Sequence, residues 1–428
     1  MRKLALGLTA SMTFAIGSAA LAADMKEPGG SPEAAQIATF NPDEFAWQLF
    51  FYISQQAAAD KAGVPDAGKP SFREYDPDRG VVWETWALAS GEDNSEVFKS
   101  PAVKPDEWDR LRRPAADKLL SKSVTGNPLA ELPGFNVDVF RHVQRQRDVA
   151  PLFFPNPGQA GEEEVRMNRA TFDMVRDKEL YSREGLARRY AQVPAPTATS
   201  GTPLLVTFPQ GAKEVKAQWV RIGDTDADKR RYHWRSVRTT AANGVATTET
   251  WGLMSMHVIT RDLPNWFWAD FGHLDGEKQA WCGTPRDVEG ETCPKDSTTR
   301  AANAPSGTNG VRTETKSTKW ENYILRGTQT GYVDSIGRKT KLSNPIIENG
   351  FQKSSCMSCH ARSAVRPDGR GGVTTLGSQT TALGAPDPSA YITPAGTYLQ
   401  VDFLFSISFR ARSEKPQPAG APSMSLMR

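Results

Sequence analysis

Cysteine and histidine are scarce in this 428-residue chain, four and five respectively, and past its N-terminus it has no long apolar run. With no later run long enough to cross a bilayer, no membrane span is expected in the mature protein. An excess of one charge is also missing. The 52 Lys and Arg face 49 Asp and Glu, a formal net of +3. That balance argues against a nucleic-acid partner and supplies no bulk field to steer a protein partner. No internal repeat is visible. Hydrophobic content of 38% and charged content of 24% are those of a soluble globular protein. The length allows one large domain or two ordinary ones.

Two of the four cysteines stand in Ser355-Cys356-Met357-Ser358-Cys359-His360. Cys-x-x-Cys-His is the attachment signature of c-type haem. Two thiols one helical turn apart reach the two vinyl groups on one porphyrin edge. The imidazole of the next residue is then carried under the iron as proximal ligand. A bare Cys-x-x-Cys also suits a thioredoxin-like redox pair or half a zinc site. The first normally opens a helix after a strand in a βαβ unit, and no such pattern surrounds residue 356. The second wants two more ligands at short spacing. The cofactor expected is one covalent haem c, bound by Cys356, Cys359 and His360.

The N-terminus supports that reading. Met1-Arg2-Lys3 is followed by an apolar run over 4–16 and by Ser18-Ala19-Ala20-Leu21-Ala22-Ala23. These are the charged region, the short apolar region and the Ala-x-Ala site of a cleaved signal peptide, with cleavage expected after Ala22. The alternative is a retained anchor. Cytochrome c haem is attached outside the cytoplasmic membrane, so the two features agree on the periplasm. Loss of Arg2 and Lys3 leaves 50 basic against 49 acidic residues. In an oxidising space, Cys282 and Cys293, in Gly- and Pro-containing sequence, are expected to form a disulfide. On the chain-entropy view it would contribute about 2–3 kcal/mol. A free pair or a labile redox switch is the alternative.

Along the chain, 24–39 reads as a loose arm. Asn41-Pro42-Asp43-Glu44 caps a helix whose Phe45, Leu49, Tyr52 and Ile53 share a face. The segment 82–88, with Trp83 and Trp86, reads as a short helix. Its aromatics signify a hydrophobic core more often than a ligand pocket. Residues 90–165 read as loops with short helices, 168–190 as one helix and 194–201 as a linker. The period then changes to two. Strands are expected at 204–208, 215–222, 232–237, 251–260 and 266–274, with another at 320–329. Residues 277–318 read as a loop, 344–349 as the start of a helix leading to the motif, and 398–412 as a last strand, while 366–390 are rich in Gly, Pro and Thr. The fold class expected is α+β, a β-rich body with N-terminal helices and a late haem segment. Its expected parts are a signal peptide (1–22), a mainly helical and loop part (40–195), a β-rich part carrying the motif (196–412) and a disordered tail (413–428). A class I cytochrome c fold is not expected, because there the motif comes early and a methionine follows it. After His360 the methionines are Met424 and Met427, in the expected tail.

A sixth iron ligand would come from His142, His233, His257, His273, Met167, Met174, Met254 or Met256. The 251–274 hairpin concentrates four of these. Strand parity puts Met254 and Met256 on one face and His257 on the other. A strand histidine among aliphatics is more often a hydrogen-bonded core residue than a ligand, and such methionines read first as core filler. The order of preference is His257, then His273, then Met256, with an open or water-bound site as the alternative.

Four stretches together resemble a family of large, β-rich, secreted bacterial single-haem cytochrome c proteins. They are Phe45-Ala46-Trp47-Gln48-Leu49-Phe50; Val82-Trp83-Glu84-Thr85-Trp86; the hairpin from Gly252 through Met256-His257 to Ile259 with Trp266 to Asp275; and Ser355 to Ala361. The resemblance implies that His257 and His273 are characteristic positions. It supplies no reaction. Two functions of different class follow. One is periplasmic single-electron transfer to a redox partner protein. The other is a haem-dependent, peroxidase-like oxidoreductase with an open distal site, where His257, His273 or Arg261 would move protons. A haem-based sensor is a third reading, but no signalling module accompanies the motif.

Overall fold

Ser31 opens the first helix among the described residues, although 24–39 was expected to be a loose arm. In the computed structural model, which describes residues 26–68, 80–90, 95–111, 162–194, 204–240, 246–277, 315, 317–344, 347, 354–377, 379 and 381–416, its hydroxyl accepts from Ala34 N. Pro32 and Glu33 complete a favourable first turn of α1 (Pro32–Phe40). The expected helix follows as α2 (Pro42–Ser54), with Phe45, Trp47, Leu49, Phe50 and Ile53 buried. Val82–Thr85 is a single 3₁₀ turn leading into β1 (Ala87–Leu88). Trp83 and Trp86 are core residues. A short α3 (Trp108–Leu111) comes next. β2 (Glu162–Met167) is a strand where loops were expected. The single helix expected over 168–190 is two, α4 (Arg169–Asp177) and α5 (Arg183–Tyr190). Glu179 adopts a left-handed φ of 57° between them, and the Ser182 hydroxyl caps the second by accepting from Gly185 N.

The period-two region forms β3 (Lys213–Arg221), β4 (Trp234–Thr240), β5 (Ala246–Thr260) and β6 (Phe267–His273), with the short helices α6 (Asp226–Arg231) and α7 (Leu274–Glu277), and then β7 (Tyr323–Gln329). The segment 204–208 contributes only a bridge between Leu204 and Gln400 rather than a strand. These strands make one antiparallel sheet in the order β1-β2-β3-β5-β6-β7, with β4 on the first half of β5. The fold is therefore α+β. β1 and β2 belong to the part expected to be mainly helical, and one hydrophobic core joins Phe50 and Phe172 to Val258 and Leu404. The expected division near residue 195 thus does not divide the sheet.

The sheet is covered on both faces. Directly paired residues share a face. Met256 pairs with Phe271, and His257 with Asp270. Phe271 meets Phe50 at 4.5 Å and Trp47 at 5.2 Å, while Phe267 meets Phe45 at 4.9 Å. That face packs on α2. The opposite face, with Trp268 and His257, receives the motif helix α8 (Cys356–His360) and the chain that follows it.

After α8 come β8 (Ala364–Pro367), β9 (Val373–Thr375), the small hairpin β10 (Ile392–Thr393) and β11 (Gly396–Thr397), and β12 (Leu399–Gln400), which pairs with β8. The strand expected over 398–412 stops after two residues. Asp402 and Phe403 turn left-handed, with φ of 49° and 71°, and α9 (Phe405–Arg410) replaces it. The apparent alternation was deceptive, because Leu404, Ile407 and Ala411 bury one helical face instead. The expected tail begins tied down. Ser413 Oγ donates to Glu184, and Glu414 pairs with Arg188 at 2.8 Å.

Phe50 joins α2 to the sheet and is fully buried. Phe50→Ala should lower unfolding free energy by about 3–5 kcal/mol. Urea denaturation checks this, and a loss below about 1 kcal/mol would contradict the packing of α2 described above.

Candidate haem-attachment site

The motif helix is held from every side by hydrogen bonds that its sequence neighbours do not supply. Cys356 N donates to Leu342 O at 2.8 Å, and Ser355 N to Ala382 O at 3.0 Å. Gln329, at the end of β7, exchanges hydrogen bonds with Ser355 Oγ and accepts from Met357 N at 3.1 Å. At the other end, Ala361 O accepts from Tyr391 Oη and Gln400 Nε2, both at 2.6 Å. Cys356 and Cys359 are three residues apart on this one turn, hence on one side of it. Cys356 is buried and Cys359 half-exposed.

His360 Nδ1 lies 2.8 Å from the Phe403 carbonyl oxygen. A carbonyl only accepts, so Nδ1 carries the proton and Nε2 holds the lone pair. This is the second partner that metal-binding histidines normally have. The ring edge meets Trp268 at 4.7 Å and Phe405 at 4.8 Å. Burial pushes its pKa down to about 3, opposed by the Phe403 bond and reinforced by the nearby charges of Lys216 and His257. Phe403 and Asp402 both have left-handed backbones, a strained state for residues other than glycine. Asp402 holds this corner. Its Oδ2 accepts from Phe208 N at 2.7 Å and Arg261 Nε at 3.2 Å. Burial raises its carboxyl pKa, and those two bonds oppose the rise.

Of the three sixth-ligand candidates, only His257 shares a sheet face with His360. It pairs with Lys216 on one side and Asp270 on the other, and its Nε2 lies 3.3 Å from Asp270 Oδ1. Asp270 is fully buried and accepts from Asn344 Nδ2 at 2.7 Å and Arg326 Nε at 2.9 Å. Met256 faces α2 through its pairing with Phe271. His273 lies on that α2 side too, stacked on Tyr232 at 3.9 Å. Its Nε2 is 3.1 Å from Arg231 O, and its Nδ1 accepts from Asp275 N at 3.1 Å, so both ring nitrogens are engaged. His233 is 3.0 Å from Glu84 and stacked on Trp320, also on that side. Met167 and Met254 are buried in the core. His142, Cys282 and Cys293, and with the last two the expected disulfide, lie outside the described residues.

Compared with protein-family models, curated proteins and solved structures, the chain matches none. The reading of the site therefore rests on its own geometry. Among the described residues, no three His, Cys, Asp or Glu side chains converge as a cation site. A haem iron needs only one or two protein ligands. The paired thiols, and an imidazole whose Nδ1 is occupied and whose Nε2 makes no hydrogen bond among the described residues, fit a c-type haem.

No sequence signal marks the Phe403 carbonyl, because a backbone group has no side-chain signature. Asp402 inside an apolar run was a signal, as was Asp270, opposite His257 in the hairpin. Glu214 was also missed. It lies on the His257 face and accepts from Ser406 of α9. Burial pushes its pKa up to about 7 from an ordinary 4.5, against the Ser406 bond and the charges of Arg410 and Lys216. The folded state thus holds a proton that the unfolded chain releases. Stability from Glu214 is full below pH 4.5 and is lost as pH rises towards 7, by up to about 1.4 kcal/mol per pH unit. Glu214→Gln should flatten that slope. Urea unfolding measured from pH 4 to 8 checks it, and an unchanged slope assigns the pH dependence elsewhere.

Proposed function

We propose that the protein carries one covalent haem c on Cys356 and Cys359, with His360 as proximal ligand, and transfers single electrons in the periplasm. The observation that carries the proposal is the 2.8 Å contact of His360 Nδ1 with the Phe403 carbonyl. It orients the His360 ring and sets its tautomer, as a proximal ligand would need. When bound, the haem supplies a one-electron iron couple. The protein's own residues do the rest. The helix fixes the two thiols, Phe403 fixes the imidazole, and Trp268 and Phe405 flank it and limit water. His257, whose Nε2 lies 3.3 Å from Asp270 Oδ1 on the sheet face that receives the motif, would hold the iron as a second ligand. The expected signal peptide accounts for the compartment.

A haem-dependent oxidoreductase with an open distal face is the second reading. The same His257–Asp270 pair favours it, because a carboxylate behind an imidazole also makes a general base.

Cys356→Ala and Cys359→Ala should each abolish the two-bond attachment and change the pyridine haemochrome spectrum, with haem lost on denaturing electrophoresis when both are replaced. Haem retained by the double variant would refute the assignment. The absorption spectrum of the reduced protein, taken with and without carbon monoxide, separates the two roles. A low-spin spectrum indifferent to carbon monoxide is expected. Rapid carbon monoxide binding selects the open site. His257→Ala should turn the low-spin spectrum high-spin, and an unchanged spectrum removes His257 as ligand.

A further inference from the structure

Four of the seven large hydrophobic residues exposed among the described residues lie in two loops beside the motif helix. Val333 is 53% and Ile336 72% exposed in the loop after β7, and Leu383 is 37% and Ile392 66% exposed in the loop before and into β10. The two loops touch. A Cβ on Gly384 would lie 3.1 Å from Lys339 Cε. Each also hydrogen-bonds to the start of α8, since Leu342 O accepts from Cys356 N and Ala382 O from Ser355 N.

Ile336 is not on a loose strand of chain. Asp334 builds the turn beneath it, accepting from Ile336 N at 3.0 Å and Arg338 N at 2.8 Å. Gly337 supplies the left-handed residue at φ 83°, and Asp334 N closes on Arg338 O at 2.8 Å. A turn this well fixed holds an isoleucine in water, an arrangement that stability does not require.

The segments that carry the patch differ in charge from the whole chain. Residues 331–344 and 354–400 hold six Lys and Arg against three Asp, whereas the full chain is nearly balanced. Two of the three Asp are already paired, Asp334 with Arg338 and Asp368 with Arg183. Lys339 is exposed and makes no ion pair among the described residues. Arg362, two residues after His360, spends one hydrogen bond on Gly377 O.

We infer that this apolar patch, carried on segments richer in basic than in acidic residues, is the docking surface for a small, acidic-surfaced electron-carrier protein. The inference rests on the proposed haem reading and adds where the electron leaves or enters. Opposite charge speeds encounter and sets orientation. A modest apolar contact then brings the two redox groups close without a tight complex, as weak electron-transfer encounters require. A nucleic acid would also meet positive charge, but four bare aliphatic side chains offer its phosphates nothing.

The test uses the full-length holoprotein, with covalent haem first confirmed by its haemochrome spectrum, on gold electrodes coated with alkanethiol monolayers. A reversible haem signal is expected at low salt on a carboxylate-terminated monolayer and not on an ammonium-terminated one. Lys339→Glu with Lys341→Glu should reduce the carboxylate signal about tenfold or more. Ile336→Ser should reduce it on a mixed methyl and carboxylate monolayer, with the haem spectrum unchanged in both variants. Equal signals on the two surfaces, or variants that behave as wild type, overturn the docking surface while leaving the haem in place. Sedimentation showing a dimer that Ile336→Ser dissociates also overturns it, by giving the patch to a second copy. A chain without covalent haem overturns the function reading itself.

Discussion

The hydrogen bond from His360 Nδ1 to the Phe403 carbonyl is the constraint on which the rest of the motif side depends. It needs a carbonyl pointed inward at one place, forty-three residues further along the chain. Consecutive left-handed residues, Asp402 and Phe403, do this, and neither is glycine. Such a corner persists only where its surroundings over-determine it. Here the Asp402 carboxylate does so, by gathering Phe208 N and the Arg261 guanidinium, while Arg261 also donates to Leu263 O at 2.9 Å. One bond to a ring nitrogen therefore ties together the chain after the motif, the segment before β3 and the β5–β6 turn. The break between β12 and α9 is a consequence of the same demand.

The sheet divides the molecule's work by parity. Alternate residues of β5 serve different masters, with Met256 and Val258 packing towards α2 and His257 and Ile259 towards the motif. The α2 side also buries charge. Burial opposes ionisation of Glu84, but Arg235 and His233 hold its carboxyl well below the usual range, and burial pushes His233 itself down to about 3. Trp83, Trp219 and Trp320 ring His233. Replacing one member of such a group leaves its partner charged and dry, so the group specifies this packing more than it stabilises it. It lies on the face away from His360, which removes its histidine from contention as an axial ligand.

What was legible in the sequence follows from what each signal depends on. The helical turn that carries Cys356 and Cys359 was legible because the spacing of the motif is local. The β3–β7 strands and the opposition of Met256 to His257 were legible because period two is local. Less was legible where a long-range partner decides. Nothing near His273 announces that Arg231 and Asp275 will take both its nitrogens. The 398–412 run alternates like a strand, yet one inward carbonyl overrides it. α1 and β2 were missed for another reason. The Ser31-Pro32-Glu33 signal sat in polar, Pro- and Ala-rich sequence, and Glu162-Glu163-Glu164 resembles a solvated run until Arg410 and Lys216 answer Glu163 and Trp219 answers Glu164.

The two readings of the haem site ask different things of His257. A general base must meet substrate and exchange protons with water, so it belongs on an accessible wall. An axial ligand must be enclosed and held at one angle. His257 is 5% exposed and Asp270 not at all. Asp270 is itself fixed from two strands of chain, by Arg326 within β7 and Asn344 beyond it. Enclosure discriminates between the two roles. A buried imidazole on the face that receives His360, beside a buried carboxylate, suits a fixed ligand better than a group that must admit substrate. That weighs towards electron transfer. On that reading the sheet, its two covering layers and the left-handed corner at Phe403 bring His257 and His360 to one side of the sheet.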